Sequence, residues 1–101
     1  MKQLVNGNLI SSTSFFGTTF LASVNQLIEV IGQPTIQDNI GEDKTNFEWD
    51  MELEDGTVFS IYDWKEYRTI GLDEVIEWHI GGKNKTNTEK ALDQLLELQN
   101  S

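Results

Sequence analysis

The residues best placed to do chemistry lie in "NFEWDMELEDGTVFSIYDW", positions 46–64. Glu48, Asp50, Glu52 and Glu54 alternate there with Phe47, Trp49, Met51 and Leu53, the period of a strand with one acidic and one apolar side. Such a row has three uses: a solvated face, a mimic of phosphates, or an acid–base pair such as Asp50 with Glu52. Alternate residues on a strand stand about 6.8 Å apart, twice the ~3.4 Å rise. One DNA strand presents a phosphate every ~3.4 Å of axis, so the row reaches only about half that charge density. Taking Asp55-Gly56 as a two-residue turn sets Glu54 opposite Thr57, Glu52 opposite Phe59, Asp50 opposite Ile61 and Glu48 opposite Asp63. Phe59 and Ile61 then stand exposed among the acids. Carboxylates beside large apolar residues suit a protein-binding patch, where apolar anchors give affinity and charge gives steering.

Three further groups bear on function. In "YDWKEYR", Tyr67 and Arg68 are of the types that dominate interfaces or stack a base, whereas Tyr62 and Trp64 fall into the hairpin core in the register above. In "GGKNK", Gly81, Gly82, Lys83 and Lys85 precede a helix start, where amides and lysines can hold an anion. That segment lacks the spacing of a phosphate loop, and two glycines also make a plain turn. His79, the sole histidine, sits beside Glu77 on the side opposite Trp78 and reads as a pH-sensitive surface residue. "DMELEDG" places no glycine at the sixth position of a calcium loop. No nucleophile stands with a base, and neither a metal cluster nor a cofactor fingerprint is present. The expectation is a protein that is not an enzyme and carries no metal or cofactor.

The elements that must position these residues follow from periodicity. Phe20, Leu21, Val24, Leu27, Ile28 and Ile31 repeat at helical spacing, with Thr18 or Thr19 as cap and Gly32 and Pro34 as stop. Residues 35–45 read as a strand fragment and a loop. The hairpin pairs Leu53 with Val58, Met51 with Ser60, Trp49 with Tyr62 and Phe47 with Trp64 on its inner side. "VIEWHI" (75–80) is a third strand ended by the glycines. Thr86 and Glu89 form a capping box that opens a last helix with Ala91, Leu92, Leu95 and Leu96 on one stripe. Residues 1–10 are a loose tail or an edge strand. The reading is one α+β domain over 1–101: an antiparallel sheet of three or more strands packed on one face by two helices, in the order strand (optional), helix, three strands, helix.

A chain of 101 residues has room for one core, and 38% hydrophobic residues suffice to build it. It has no cysteine, so a disulfide framework is excluded. "FLASVNQLIEVIG" is too short and polar to span a bilayer, and the N-terminal residues do not read as a signal peptide. A soluble, intracellular, cytoplasmic protein is expected. The formal net charge is −10, and its placement matters more than its size. Residues 38–77 carry thirteen acids against three bases, and the remaining residues balance. Such a field repels nucleic acid and anionic membranes and steers basic partners toward the middle of the chain.

The segments "GTTF", "IGQP", "FEW", "EDGTVFSIYDWKEYR" and "EWHIGG" together resemble small proteins of tailed bacteriophages, over residues 17 to about 95. That resemblance implies a viral source and supplies no catalytic residues. The expected function is a phage accessory or counter-defence factor. Its face of Glu48, Asp50, Glu52, Glu54, Phe59, Ile61 and Asp63, with Tyr67 and Arg68 beside it, occupies a basic, nucleic-acid-binding surface of a host protein. Two alternatives stand: a nucleotide or anion binder built on Lys83, Lys85, Arg68 and Tyr67, and a virion assembly protein that self-associates.

Overall fold

The computed structural model describes residues 1–4, 10 and 12–100. In chain order the elements are β1 (Lys2–Gln3), β2 (Ser14–Ala22), α1 (Val24–Ile31), β3 (Ile36–Gln37), β4 (Phe47–Glu52), β5 (Val58–Tyr62), β6 (Ile76–Gly82) and α2 (Lys85–Gln99). The strands form one antiparallel sheet in the order β1-β4-β5-β6-β2, with β3 also on β4. The fold is α+β, as the periodicity indicates. Of the first ten residues, Lys2 and Gln3 form an edge strand, while 5–9 lie outside the described residues. No helix among the described residues is long and apolar enough to cross a membrane.

The first helix is shorter than its apolar spacing suggests. Residues 14–22 pair with β6 instead, setting Phe20 opposite Trp78 and Ala22 opposite Ile76. The cap is Ser23, not Thr18 or Thr19: its hydroxyl accepts from Gln26 N, and the Gln26 side chain accepts from Ser23 N. Phe20 and Val24 sit four apart in sequence and both reach the core, so strand and helix leave the same trace. Thr18 turns to α2, where its hydroxyl meets that of Thr88 at 2.6 Å. Gly32 does end α1, with φ 87°. The last helix is capped by Asn84, whose side chain accepts from Asn87 N, two residues before the expected Thr86 box.

The hairpin register is the larger correction. Asp55-Gly56 does not form the two-residue turn, because that turn requires positive φ at both positions and Asp55 does not adopt it; Gly56 does, at 89°. Instead Gly56 N donates to Leu53 O and Leu53 N donates to Thr57 O, a three-residue loop of Glu54, Asp55 and Gly56. The extra residue slides the pairing by one, to Trp49 with Ile61, Asp50 with Ser60, Met51 with Phe59 and Glu48 with Tyr62. A one-residue slip moves every side chain of the partner strand to the other face. Phe59 and Ile61 are therefore fully buried and not exposed among the acids.

These residues complete the core. Phe47, Trp49, Met51, Phe59, Ile61, Trp78 and Ile80 face Val24 and Leu27 of α1 and Ala91 and Leu95 of α2. Trp49 and Trp78 meet edge to face at 5.5 Å. Each indole N–H is satisfied where it is buried, Trp49 by Gly32 O at 2.9 Å and Trp78 by Ala22 O at 2.8 Å. Gly82 lets α2 seat closely on β6: a Cβ there would lie 2.8 Å from Thr88 Cγ2.

Candidate functional site: a carboxyl-walled pocket on the helix-free face

Strand alternation sends the remaining side chains of β4, β5 and β6 to the face away from the helices. Glu48 and Asp50 stand there beside Tyr62 and Ser60, and β6 adds His79 opposite Tyr62 and Gly81 opposite Ser60. Ile10, Thr13 and Ser14, with Thr45 and Trp64, close a pocket of about 240 Å³ over Glu48, Ser60, Tyr62 and Gly81. Thr13 pins the roof by donating its N–H and its hydroxyl to Ile10 O at 2.9 and 2.7 Å. Gly81 keeps the floor open, since a Cβ there would lie 2.7 Å from Ser60 Oγ. A larger groove of about 590 Å³ between Leu21 and the helix ends is lined by aliphatic and amide groups, with Glu29 its one titratable side chain.

The acidic row is thus mostly covered. Asp50 is 8% exposed, and its Oδ1 is, among the described residues, the one buried side-chain polar atom without a hydrogen-bond partner. Glu48 is half-buried, and its carboxyl is pushed up to about 8. Burial is the main cause, followed by a hydrogen bond to Asp50 and the charge of Asp50. Glu48 therefore keeps a proton into the neutral range. Burial, and then the charge of Glu48, also raises the Tyr62 phenol. Glu52 pairs with Lys2 at 3.4 Å, and Glu54 is exposed in the hairpin loop.

Four aromatic rings gather beside the carboxyls. Phe15 stacks on His79 with centroids 4.3 Å apart, Tyr62 lies 5.6 Å from His79, and Trp64 lies 6.1 Å from Tyr62. Lys44 and Lys65 hold their ammonium groups over Trp64 at 5.8 and 5.5 Å. Tyr62 and Trp64 are on this face and not in the hairpin core, again because of the register. His79 is half-buried under Phe15, and its Nε2 is 4.0 Å from Glu77 Oε1. Glu48 and Asp50 stood out in the sequence for their charge. Phe15, Ser60, Tyr62, Trp64 and His79 become their neighbours only once the strands are paired.

The other expected site residues lie elsewhere. Asp63 is fully buried, with Oδ1 accepting from Asn46 N and Phe47 N at 2.7 and 2.8 Å and Oδ2 from Asn46 Nδ2 at 3.2 Å. It anchors the start of β4 and belongs to no acidic surface. Arg68 is taken up by Glu74 through both guanidinium nitrogens, with Glu66 at 3.7 Å; Tyr67 is exposed, at φ 50°. Gly81 and Gly82 lie inside β6 and not in a loop, so they form no anion cradle with Lys83 and Lys85, which are exposed beyond it.

The proton on Glu48 has a consequence for stability. Its folded-state value is raised from 4.5 to about 8, so the folded protein binds the proton more tightly than the unfolded chain. That contribution is complete below about 4.5 and lost as the pH rises to about 8. Beside Glu48 stand Asp50 on its own strand and Tyr62 opposite it on β5, with His79 opposite Tyr62 on β6. Urea unfolding across this range is expected to show stability falling with pH, and Glu48→Gln to flatten the slope. An unchanged slope in the variant would place the proton on another group.

Compared with protein-family models, curated proteins and solved structures, the chain finds no match. The reading of its function rests on the site itself.

Proposed function

We propose that this chain is a small non-enzymatic binding protein that captures a basic partner, a host protein if the bacteriophage resemblance reflects its source. The observation that carries this reading is a pocket walled by the Glu48 carboxyl in a body of net charge −10. The field gathers basic surfaces, and the concave face supplies a place for one of their side chains to dock. Nucleic acid competes for the same basic surface, so binding is antagonised by nucleic acid and weakened by salt. The apolar anchors first assigned to the acidic face are buried, which moves the docking element from an open strand to the pocket and its rim.

The test is affinity capture from host lysate at low and high salt, with the parent protein and a Glu42→Lys, Asp43→Lys variant. Both residues are exposed in the loop that supplies Thr45, so their reversal changes the field without disturbing the core. A basic protein retained by the parent at low salt, and lost with salt or with charge reversal, is the expected result. Equal retention by the variant would sink electrostatic capture.

A further inference from the structure

We propose that β2 is a docking edge for a second copy of this chain, the two β2 strands pairing antiparallel about a two-fold axis. The inference is independent of the capture of a basic partner. Its first support is a contrast between the two edges of the sheet. Beyond β4 the sheet is closed by β1 and β3, of two residues each, and very short edge strands are a common guard against further pairing. β2 closes the other edge with nine residues, "SFFGTTFLA", which include neither a charge nor a proline to block it. Among the described residues it pairs with β6 alone. Its outward N–H and C=O groups are therefore a template for another strand.

The second support is what the edge displays. Gly17, at φ 92°, marks a bulge between Phe15 and Thr19, which confines regular pairing to the half of the strand around Phe20 and Leu21. Leu21 is 70% exposed, the most exposed large hydrophobic side chain among the described residues. Residues opposite each other in a sheet share a face. With Phe20 at the axis, Leu21 of each copy lies beside Thr19 of the other. The groove of about 590 Å³ next to Leu21 continues this surface, with Glu29 its one titratable side chain.

The third support is charge, which selects the occupant. The net charge of −10 belongs to residues 38–77, and β4, with Glu48, Asp50 and Glu52, is the third strand away from β2. A β2–β2 pair keeps the two β4 strands seven strand spacings apart, about 34 Å, or about four screening lengths at physiological salt. Pairing through β1 would bring them within three spacings, about 14 Å. A basic partner gains nothing from an uncharged edge, whereas a like-charged copy docks best where its charge is farthest away. The contact is isologous and closes on itself, so the product is a dimer and not a fibre.

Sedimentation velocity and amide NMR over rising protein concentration, at low and high salt, test the proposal. A monomer–dimer equilibrium strengthened by salt is expected, because the residual force between two acidic bodies is repulsive. Capture of a basic partner is weakened by salt, so the two readings fail separately. The amide signals of residues 18–22 should shift as the dimer forms. Leu21→Lys should weaken association at least about tenfold, since each dimer loses two buried leucines. That lysine lies opposite Glu77 on β6, so the monomer keeps its own pairing. It also makes the chain less acidic, so lost association cannot come from added repulsion. Ile36→Lys, at an exposed position of β3 on the guarded edge, should leave the dimer intact.

A strict monomer at about 1 mM in high salt, weaker than any specific contact, would overturn the proposal. So would an unchanged dimer in Leu21→Lys or a dimer lost in Ile36→Lys. Signals of β2 that shift only when host lysate is added would give the edge to a foreign strand and overturn the second copy as its occupant.

Discussion

Replacing Asp63 with alanine is expected to cost about 3–5 kcal/mol, a large share of the ~5–15 kcal/mol available to a domain of this size. The carboxylate is fully buried and accepts from two backbone N–H groups, Asn46 and Phe47, and from the Asn46 side chain. Alanine strands both amides where water is excluded, and each stranded buried donor costs about 1–3 kcal/mol. The damage spreads because Asn46 is itself a clasp. Its side-chain oxygen accepts from Gly41 N at 3.1 Å, and its amide donates to Arg68 O at 3.0 Å. Asp63→Asn keeps an oxygen for the two backbone donors and confronts Asn46 Nδ2 with a second donor, so its expected loss is only about 1 kcal/mol. Urea unfolding midpoints of the three proteins check the order. A loss below about 1 kcal/mol for the alanine variant would show that the clasp does not anchor β4.

Phe59→Ala is the second large effect, and it tests the hairpin register directly. In the observed pairing Phe59 lies opposite Met51 and has no exposed surface. Truncating a phenylalanine so buried costs about 3–5 kcal/mol, from lost transfer energy and the cavity left behind. In the register that a two-residue turn would impose, Phe59 stands on the open face, and its loss would be worth no more than about 0.5 kcal/mol. The two pairings differ by one residue and the two outcomes by several kcal/mol, so chemical denaturation decides between them. A neutral result would return Phe59 to the acidic surface and empty the pocket of Tyr62.

The sequence by itself determined which residues of β4 share a face, because a strand has period two and Glu48, Asp50 and Glu52 obey it without help from neighbours. It determined the α+β class, the stop of the first helix at Gly32, the β6 alternation that sets His79 against Trp78, and the concentration of charge in residues 38–77. These are local or additive properties. The tertiary structure decided what lies across from that face. Whether Phe59 or Ser60 sits on the side of Asp50 depends on one backbone angle at Asp55, and a three-residue loop and a two-residue turn share the Asp-Gly signature. Residues 14–22 went to the sheet because pairing with β6 satisfies their backbone and buries Phe20 and Ala22, a long-range gain that outweighs helical spacing. The covering of the acidic row, the buried service of Asp63 and the engagement of Arg68 by Glu74 have the same origin. Each depends on segments distant in sequence, and a carboxylate takes its role from whatever the fold places against it.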